Sequence, residues 1–203
     1  MMRVEVLESE GEVARRAAGL VRAALAARPG CVLGLASGKT PLGMYEELAR
    51  REAVLSDATV FAIDELYGVP RSHPATNASY FRARLPGPVR VLHLLDSEAA
   101  DAEAECARFS RLIEEAGGLD LVVVGIGVNG HVAFNEPGAA FDSRARLAEL
   151  APSSREAYAR QFGSLDATPR FGLTLGIADL VAARAVLLLA LGTAKAEAIA
   201  RAI

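Results

Sequence analysis

The chain has 203 residues, of which 52% are hydrophobic and 23% charged, and its formal net charge is -3 at pH 7. This length and composition predict one domain of ordinary size whose hydrophobic core needs no disulfide or metal ion to hold it. A mildly acidic chain without a basic or acidic block lacks the electrostatic surface of a nucleic-acid-binding protein, so we expect small-molecule chemistry.

Neither end of the sequence resembles a targeting or membrane segment. The start, Met1 to Glu12, is charged and lacks the apolar stretch of a signal peptide, and the run from Ala185 to Leu191 is too short to span a bilayer. Cys31 and Cys106 lie far apart without metal-binding spacing, so we expect two reduced core thiols. These features predict a cytoplasmic protein without a membrane partner.

Strands and helices are predicted to alternate along the first half of the chain. The helices are indicated by apolar residues at helical spacing and by Pro41 at a first helical position. The predicted elements are a strand over Arg3 to Leu7, a helix over Glu10 to Ala27, a strand over Cys31 to Ala36, a helix over Pro41 to Arg51, a strand over Ala58 to Ile63, a helix over Asn77 to Leu85 and a strand over Val89 to His93.

The second half continues the alternation. Its predicted elements are a helix over Ser97 to Ala116, a strand over Leu121 to Val124, a helix over Pro152 to Phe162, a helical turn over Ile177 to Val181, a strand over Ala185 to Ala190 and a helix over Thr193 to Ile203. We find no internal repeat or linker. The pattern predicts an α/β fold of residues 1–203 with a doubly wound, mostly parallel sheet and helices on both of its faces.

Four polar motifs each begin where a predicted strand ends. Because parallel strands end at the same edge of a sheet, and such folds bind ligands there, we expect these motifs to lie together. They are the loop Ser37-Gly38-Lys39-Thr40, the pair Asp64-Glu65, the loop from Gly125 to His131, and the segment from Leu191 to Lys195.

Two of these loops resemble nucleotide-binding motifs without matching them. The segment from Gly125 to Gly130 fits G-x-G-x-x-G, but Pro137 and Gly138 would break the helix that a dinucleotide site needs. The segment from Gly34 to Thr40 has three residues between its glycines where a P-loop has four. Its backbone amides could still bind a smaller phosphate at the start of the following helix.

Several side chains near these loops could transfer protons. His131 titrates near neutral pH, and Glu136 could orient it. Asp64 and Glu65 are adjacent on an extended chain, so one of them at most should face a given ligand, the alternative for the pair being a helix or turn cap. His93 is interpreted as structural, and the pair Ser153-Ser154 as a helix cap, because no base accompanies it.

The residues alone therefore predict a site that binds a phosphorylated substrate and moves protons on carbon and oxygen. Such a site suits sugar-phosphate isomerisation or hydrolysis. More than one phosphorylated substrate fits this description.

The motif from Gly125 to Pro137, G-I-G-x-N-G-H-x-A-F-N-E-P, strongly resembles that of the glucosamine-6-phosphate deaminase family. The resemblance extends over essentially the whole chain, through LGLASGKTPLGMYEEL, FAIDELYG, HPATNASYF, LTLGIADL and LGTAKAEAI. It implies the fold shared with 6-phosphogluconolactonases and phosphosugar isomerases. It also implies conversion of glucosamine 6-phosphate and water to fructose 6-phosphate and ammonia, without a metal or organic cofactor.

The resemblance assigns roles residue by residue. Asp64 matches the carboxylate that moves the proton between C2 and C1, and His131 matches the residue that opens the pyranose ring, with Asn129 and Glu136 as its neighbours. The positions that match the family's phosphate-binding residues are Ser37, Gly38, Lys39, Thr40, Arg160 and Lys195.

Some positions depart from the family's pattern. Asn129 stands where some members have Asp, Leu66 where many have Tyr, and Lys39 where a small residue is commoner. Members usually continue with another strand and helix after Lys195, so we expect either a short form or a truncated sequence. The family resemblance leaves room for a homo-oligomer.

Two other functions remain open at this stage. A lactonase acting on 6-phosphogluconolactone is disfavoured by Asn135 and Glu136, since lactonases of this superfamily usually lack that Asn-Glu-Pro segment. A sugar-phosphate sensor without turnover is the second alternative, although a pure binder would not need Asp64, His131 and Glu136 together.

Overall fold

The computed structural model describes residues 2–52 and 54–203. Its helices are α1 (Glu10–Ala27), α2 (Leu42–Ala49), α3 (Asn77–Arg84), α4 (Ala102–Glu115), α5 (Pro152–Phe162), α6 (Ile177–Val181) and α7 (Ala196–Ala202), with a 3-10 helix over Thr193–Lys195. Its strands are β1 (Val32–Leu35), β2 (Thr59–Ala62), β3 (Asp64–Leu66), β4 (Val91–His93), β5 (Leu121–Gly125), β6 (Arg146–Glu149), β7 (Phe171–Thr174) and β8 (Ala185–Leu189).

Five of these strands form a central parallel sheet in the order β4-β2-β1-β5-β8. Alternate residues of its inner strands enter two separate hydrophobic clusters, one on each face. Leu33 and Val123 pack with α1, α2 and α3, whereas Val122 and Val124 pack with α4 and α6. The prediction of a doubly wound, mostly parallel sheet with helices on both faces is confirmed.

A second sheet was not predicted. β3, β7 and β6 form it in that order with antiparallel pairing. β3 begins two residues after β2 ends, so the predicted strand over Ala58 to Ile63 runs directly into it. Strands of three or four residues are too short to show the alternation on which a sequence prediction depends.

The predicted strand over Arg3 to Leu7 is wrong. Residues 2–7 are exposed and form no part of either sheet. Glu5 instead accepts a hydrogen bond from Arg16 of α1 at 2.6 Å, which holds this segment against the helix through an exposed ion pair. A β-branched, alternating sequence forms a strand only when a neighbouring strand supplies the hydrogen bonds.

Leu66 lies in the core. It is fully buried with Val69, Ala75 and Phe134 in a third cluster beneath the second sheet and α5. Its departure from the family's usual residue therefore falls on a packing position of this chain.

Substitution of Gly176 should destabilise the fold. Gly176 precedes α6 with an ordinary extended backbone, but a Cβ atom there would overlap the backbone carbonyl group of Ser143, which cannot rotate away. We expect Gly176→Ala to lower the free energy of unfolding by about 1–3 kcal/mol, measured by urea denaturation. In the control Gly19→Ala, the new methyl group in α1 would meet only the flexible Arg22 guanidinium, so stability should be unchanged or higher. Equal losses in both variants would contradict the steric argument.

Candidate active site

The polar loops predicted from the sequence meet at one edge of the central sheet. β1 and β5 are neighbours, yet from β1 the chain continues to β2 on one side and later places β5 on the other. Doubly wound proteins bind ligands in the crevice where the strand order reverses in this way. Thr40, in the loop after β1, lies beside Gly125 at the end of β5. The candidate site is therefore the crevice between these two loops.

Asp64 lies in this region at the start of β3, with only 8% of its surface exposed. Nδ2 of Asn77 donates hydrogen bonds to its carboxylate Oδ1 at 2.6 Å and to its backbone oxygen at 2.8 Å. Within residues 2–52 and 54–203, no hydrogen bond reaches Oδ2 of Asp64. Oδ2 is thus the carboxylate oxygen that a ligand can engage.

Glu65 has a different partner set. Its carboxylate accepts hydrogen bonds from the backbone N–H groups of Asn77 at 2.9 Å, Ala78 at 2.8 Å and Leu66 at 2.8 Å. Two of these groups open α3, where a negative charge also interacts favourably with the helix dipole. The two adjacent carboxylates therefore have different roles. Glu65 binds N–H groups at the start of α3, whereas Oδ2 of Asp64 accepts no hydrogen bond from the described residues.

The surroundings of Asp64 change its acidity. Burial and then the charge of Glu65 raise the pKa of Asp64 to about 7, while the hydrogen bond from Asn77 acts in the opposite direction. A carboxyl group with such a pKa can both accept and return a proton near neutral pH.

Asn129, His131 and Glu136 form one connected group in the loop after β5. Nδ2 of Asn129 donates to Oε2 of Glu136 at 2.8 Å, which turns Oδ1 of Asn129 toward His131. Oδ1 lies 2.7 Å from Nδ1 of His131 and also accepts its backbone N–H at 3.2 Å. Because an amide oxygen only accepts, we assign the ring hydrogen to Nδ1. The neutral imidazole then presents Nε2 as a base.

The start of α5 contacts the same group. The backbone N–H of Ala151 donates to Oε1 of Glu136 at 3.1 Å, Oγ of Ser153 lies 3.3 Å from Nδ2 of Asn129, and Oγ of Ser154 lies 3.2 Å from Nδ1 of His131. The interpretation of Ser153-Ser154 as a helix cap is wrong. Pro152 begins the helix and Ala151 occupies the cap position, which leaves both serines inside the first turn.

The loop is shaped by close packing around His131. A Cβ atom on Gly127 would overlap the imidazole ring, so the ring can lie there only because residue 127 is glycine. Nδ2 of Asn135 donates to the backbone oxygens of Val132 at 3.0 Å and Leu175 at 2.9 Å. These bonds tie the loop to the end of β7, in the sheet that the sequence did not reveal.

His131 is held in its neutral form. Burial lowers its pKa, the charge of Glu136 opposes this shift, and the nearby Lys195 adds to it. Lys195, at the end of the 3-10 helix, has its own pKa lowered by burial. The structure therefore brings Lys195, from the fourth predicted motif, close to the histidine loop.

The loop after β1 is anchored through its carbonyl groups. The hydroxyl of Tyr45 donates to the backbone oxygen of Ala36 at 2.7 Å, and that of Tyr80 to the backbone oxygen of Gly38 at 2.7 Å. Gly38 has a φ of 98°, which a residue with a side chain would rarely adopt. These two bonds use carbonyl oxygens of the loop and none of its amide hydrogens. The amide hydrogens can therefore bind an anion.

The remaining predicted phosphate residues are exposed. Lys39 and Arg160 lie at the surface, Arg160 in the last turn of α5. In the described part of the chain, the side chains of Lys39, Arg160 and Lys195 form no hydrogen bond or ion pair. These cations are therefore not neutralised by the protein itself.

No group of three or more His, Cys, Asp or Glu side chains among the described residues is arranged to hold a metal ion. None of the helices in residues 2–52 and 54–203 is long and apolar enough to cross a membrane.

The pKa of His131 can be measured by NMR titration of its ring signals, assigned through their loss in His131→Gln. We expect a value below the ordinary 6.5 of histidine, because burial disfavours the charged ring. Asn129→Asp places a negative charge beside Nδ1 and should raise that value. His93, which stacks on Phe61, is the internal control and should titrate alike in both proteins. An unchanged His131 titration in Asn129→Asp would contradict the assigned contact.

The stability that Asp64→Asn gains over the wild type should increase as the pH rises. The pKa of Asp64 is about 7 in the folded protein against 3.8 for the free side chain, so between these values the folded chain binds the extra proton and its free energy of unfolding falls with increasing pH. Asn does not titrate and avoids this loss. We expect its melting temperature to exceed that of the wild type by several degrees at pH 8, and by much less near pH 4.

The control for this measurement is Asp142→Asn, since Asp142 is exposed. Its difference from the wild type should not grow between pH 4 and pH 8. If Asp64→Asn behaved in the same way, the raised pKa would be refuted.

Comparison with known proteins places this site within one family. The family model described as glucosamine-6-phosphate isomerases/6-phosphogluconolactonase matches residues 8–203. A glucosamine-6-phosphate deaminase of Clostridium botulinum (strain Hall) is 35% identical over 210 residues, which cover 100% of this chain and 86% of that protein. One from Geobacillus sp. (strain WCH70) is 40% identical over 198 residues, covering 94% of this chain and 79% of that protein.

Solved structures agree. A structure described as a monomeric glucosamine-6-phosphate deaminase superposes with a TM-score of 0.93 at 34% identity, covering 98% of this chain and 86% of that one. A 6-phosphogluconolactonase of Thermotoga maritima superposes with a TM-score of 0.75 at 24% identity, covering 97% of this chain and 87% of that one, and shows the shared fold. The chain is therefore a member of the glucosamine-6-phosphate isomerase/6-phosphogluconolactonase family.

Proposed function

We propose that this protein is a glucosamine-6-phosphate deaminase, which converts glucosamine 6-phosphate and water to fructose 6-phosphate and ammonia in amino sugar catabolism. The observation that carries the proposal is a set of two proton-transfer groups in the segments that follow β2 and β5. Among residues 2–52 and 54–203, neither Oδ2 of Asp64 nor Nε2 of His131 has a hydrogen-bond partner, so both atoms can reach a substrate. The names of the deaminase relatives, 35–40% identical over nearly the whole chain, support the same substrate.

The phosphate end of the substrate is proposed to lie on the loop from Ser37 to Thr40. Its amide hydrogens and the first turn of α2 form an anion-binding surface. Lys39, Lys195 and Arg160 would supply positive charge, since the protein leaves their side chains without acidic partners in the described residues. Neutralising a phosphate dianion needs such cations or many N–H donors.

His131 is proposed to open the sugar ring. Its Nε2 takes the proton from the hydroxyl on C1 as the C1–O5 bond breaks, and a proton returns to O5. The hydrogen bond from Nδ1 to Asn129, backed by Glu136, holds the ring hydrogen on Nδ1 and stabilises the positive charge that develops on the imidazole. Opening the ring makes C1 an aldehyde, which acidifies the proton on C2.

Asp64 is proposed to carry out the isomerisation. Its ionised carboxylate removes the proton from C2 while O1 of the aldehyde takes up a proton, which gives an enolamine with a hydroxyl on C1. Asp64 then returns its proton to C1, and loss of a proton from nitrogen leaves a C2 imine at the former amino group. Water then adds to C2, and ammonia departs to leave the ketone of fructose 6-phosphate. A pKa near 7 suits this exchange, because the same group must act as base and then as acid.

All the groups invoked in these steps belong to one chain of residues 1–203, which we propose acts as one sugar-phosphate domain. A cytoplasmic location completes the proposal. It is supported by two free buried cysteines and by a phosphorylated substrate of the kind found inside cells.

Incubation with glucosamine 6-phosphate tests the proposal. We expect fructose 6-phosphate and ammonia in equal amounts. In D2O, deuterium should enter C1 of the product to the extent that the proton held by Asp64 exchanges with solvent before it is returned. Asp64→Asn and His131→Gln should each lower kcat by about 100- to 10,000-fold, because each removes a positioned acid or base. His93→Gln is the matched control and should keep wild-type activity, since His93 stacks on Phe61 and forms no part of the site.

Two results would overturn the proposal. Saturable binding of the sugar phosphate without release of ammonia would identify a sensor. Hydrolysis of 6-phosphogluconolactone without deamination would identify a lactonase.

A further inference from the structure

Asn77 joins Asp64 to the loop after β1. It is the first residue of α3 and only 3% exposed. Besides its two bonds to Asp64, its Oδ1 accepts a hydrogen bond from the hydroxyl of Ser37 at 2.6 Å. Both ends of this carboxamide are therefore bound, one to the proton-transfer residue and the other to the proposed phosphate loop.

The orientation of the carboxamide follows from the chemistry of its partners. When Asp64 is ionised, its carboxylate and backbone oxygens carry no hydrogen and can only accept hydrogen bonds. Nδ2 of Asn77 must therefore face them and donate one hydrogen to each. Ser37 carries a hydroxyl, which can donate to Oδ1. The reverse orientation would set an oxygen against two oxygens and leave the NH2 group facing Ser37 alone. The hydroxyl hydrogen of Ser37 is thereby bound to Asn77, so the group of Ser37 that can still donate to a phosphate is its backbone N–H.

We propose that Asn77 is a positioning residue for Asp64, and this rests on the proposed deaminase function. By holding Oδ1, Asn77 directs Oδ2 toward the reacting carbons, so that Oδ2 takes the proton from C2 and returns it to C1. Through Ser37, the same carboxamide fixes the carboxylate relative to the loop that binds the phosphate. A chain of two hydrogen bonds thus links the carboxylate to the loop that is proposed to bind the phosphate.

The electrostatic surroundings support this role. The charged group that acts on Asp64 is Glu65 on its own strand, and the charge of Asp64 in turn acts on Tyr45 of α2 and Tyr158 of α5. Burial raises the pKa of both tyrosines, so they are neutral near pH 7, and Glu65 opposes ionisation of Asp64. The contact with Asn77 is the interaction that favours the ionised form.

The test is a titration of Asp64 in protein labelled with 13C at the aspartate carboxyl carbon, with the signal assigned by its loss in Asp64→Asn. In Asn77→Ala the pKa of Asp64 should rise by about one unit or more, because a charge-assisted hydrogen bond is lost. Asn77→Leu, which keeps the approximate shape of the side chain, should give the same rise. Both variants retain the backbone N–H that binds Glu65.

Activity provides the second readout. We expect kcat for glucosamine 6-phosphate to fall about 10- to 100-fold in both variants with little change in KM, and the acidic limb of the kcat/KM profile to move to higher pH. The matched control is Thr76→Ala, which removes the cap that Thr76 gives to Ser79 at 3.1 Å in the same helix. It should lower the melting temperature without moving the Asp64 titration or the pH profile.

An Asp64 titration unchanged in Asn77→Ala would overturn the positioning role, as would a loss of kcat no different from that of Thr76→Ala. Failure of the deaminase function would appear separately, as a wild-type protein that releases no ammonia. The titration would still decide whether Asn77 holds Asp64 in that case.

Discussion

The geometry of the site depends on a buried carboxylate that takes no part in the proposed proton transfers. Glu65 accepts three backbone N–H groups, two of them at the start of α3, and so fixes that helix against β3. α3 in turn supplies Asn77 to Asp64 and Tyr80 to the loop after β1. The negative charge that performs this structural work also raises the pKa of its neighbour. Glu65 therefore contributes to the placement of Asp64 and, after burial, to its raised pKa.

The two buried carboxyl groups lower the stability of the fold but supply the acidity that the proposed reaction needs. A buried carboxyl with a raised pKa opposes folding wherever it must ionise, and a second buried carboxylate beside it adds to the penalty. The penalty is offset elsewhere by a sheet whose two faces are covered with apolar clusters. Active sites commonly retain such locally unfavourable groups because their chemistry requires them.

Reasoning from the sequence predicted what repeats over many residues and what lies at strand ends. The helix over Glu10–Ala27 and the buried strands near Leu33 and Val122 were predicted because their apolar patterns are long or continuous. The strand-end loops followed from topology. The sequence allowed a cap for the pair Asp64-Glu65, but it did not show that Glu65 alone caps and that its helix is α3. The link from Asn77 to Asp64 and the contacts of the serines of α5 could not be found in this way either. Their partners lie many residues away in sequence, and an Asn or Ser in a helix carries no signal of what it contacts.

The two cysteines have a practical consequence. Cys31 and Cys106 are buried, and burial raises the pKa of each thiol to about 11, so very little reactive thiolate exists at neutral pH. The native cysteines of the folded protein should therefore react very little with thiol reagents. A cysteine introduced on an exposed turn of α5 or α3 would react first with a spin label or fluorophore, and pairs of such labels would report distances across the crevice without removal of the native residues.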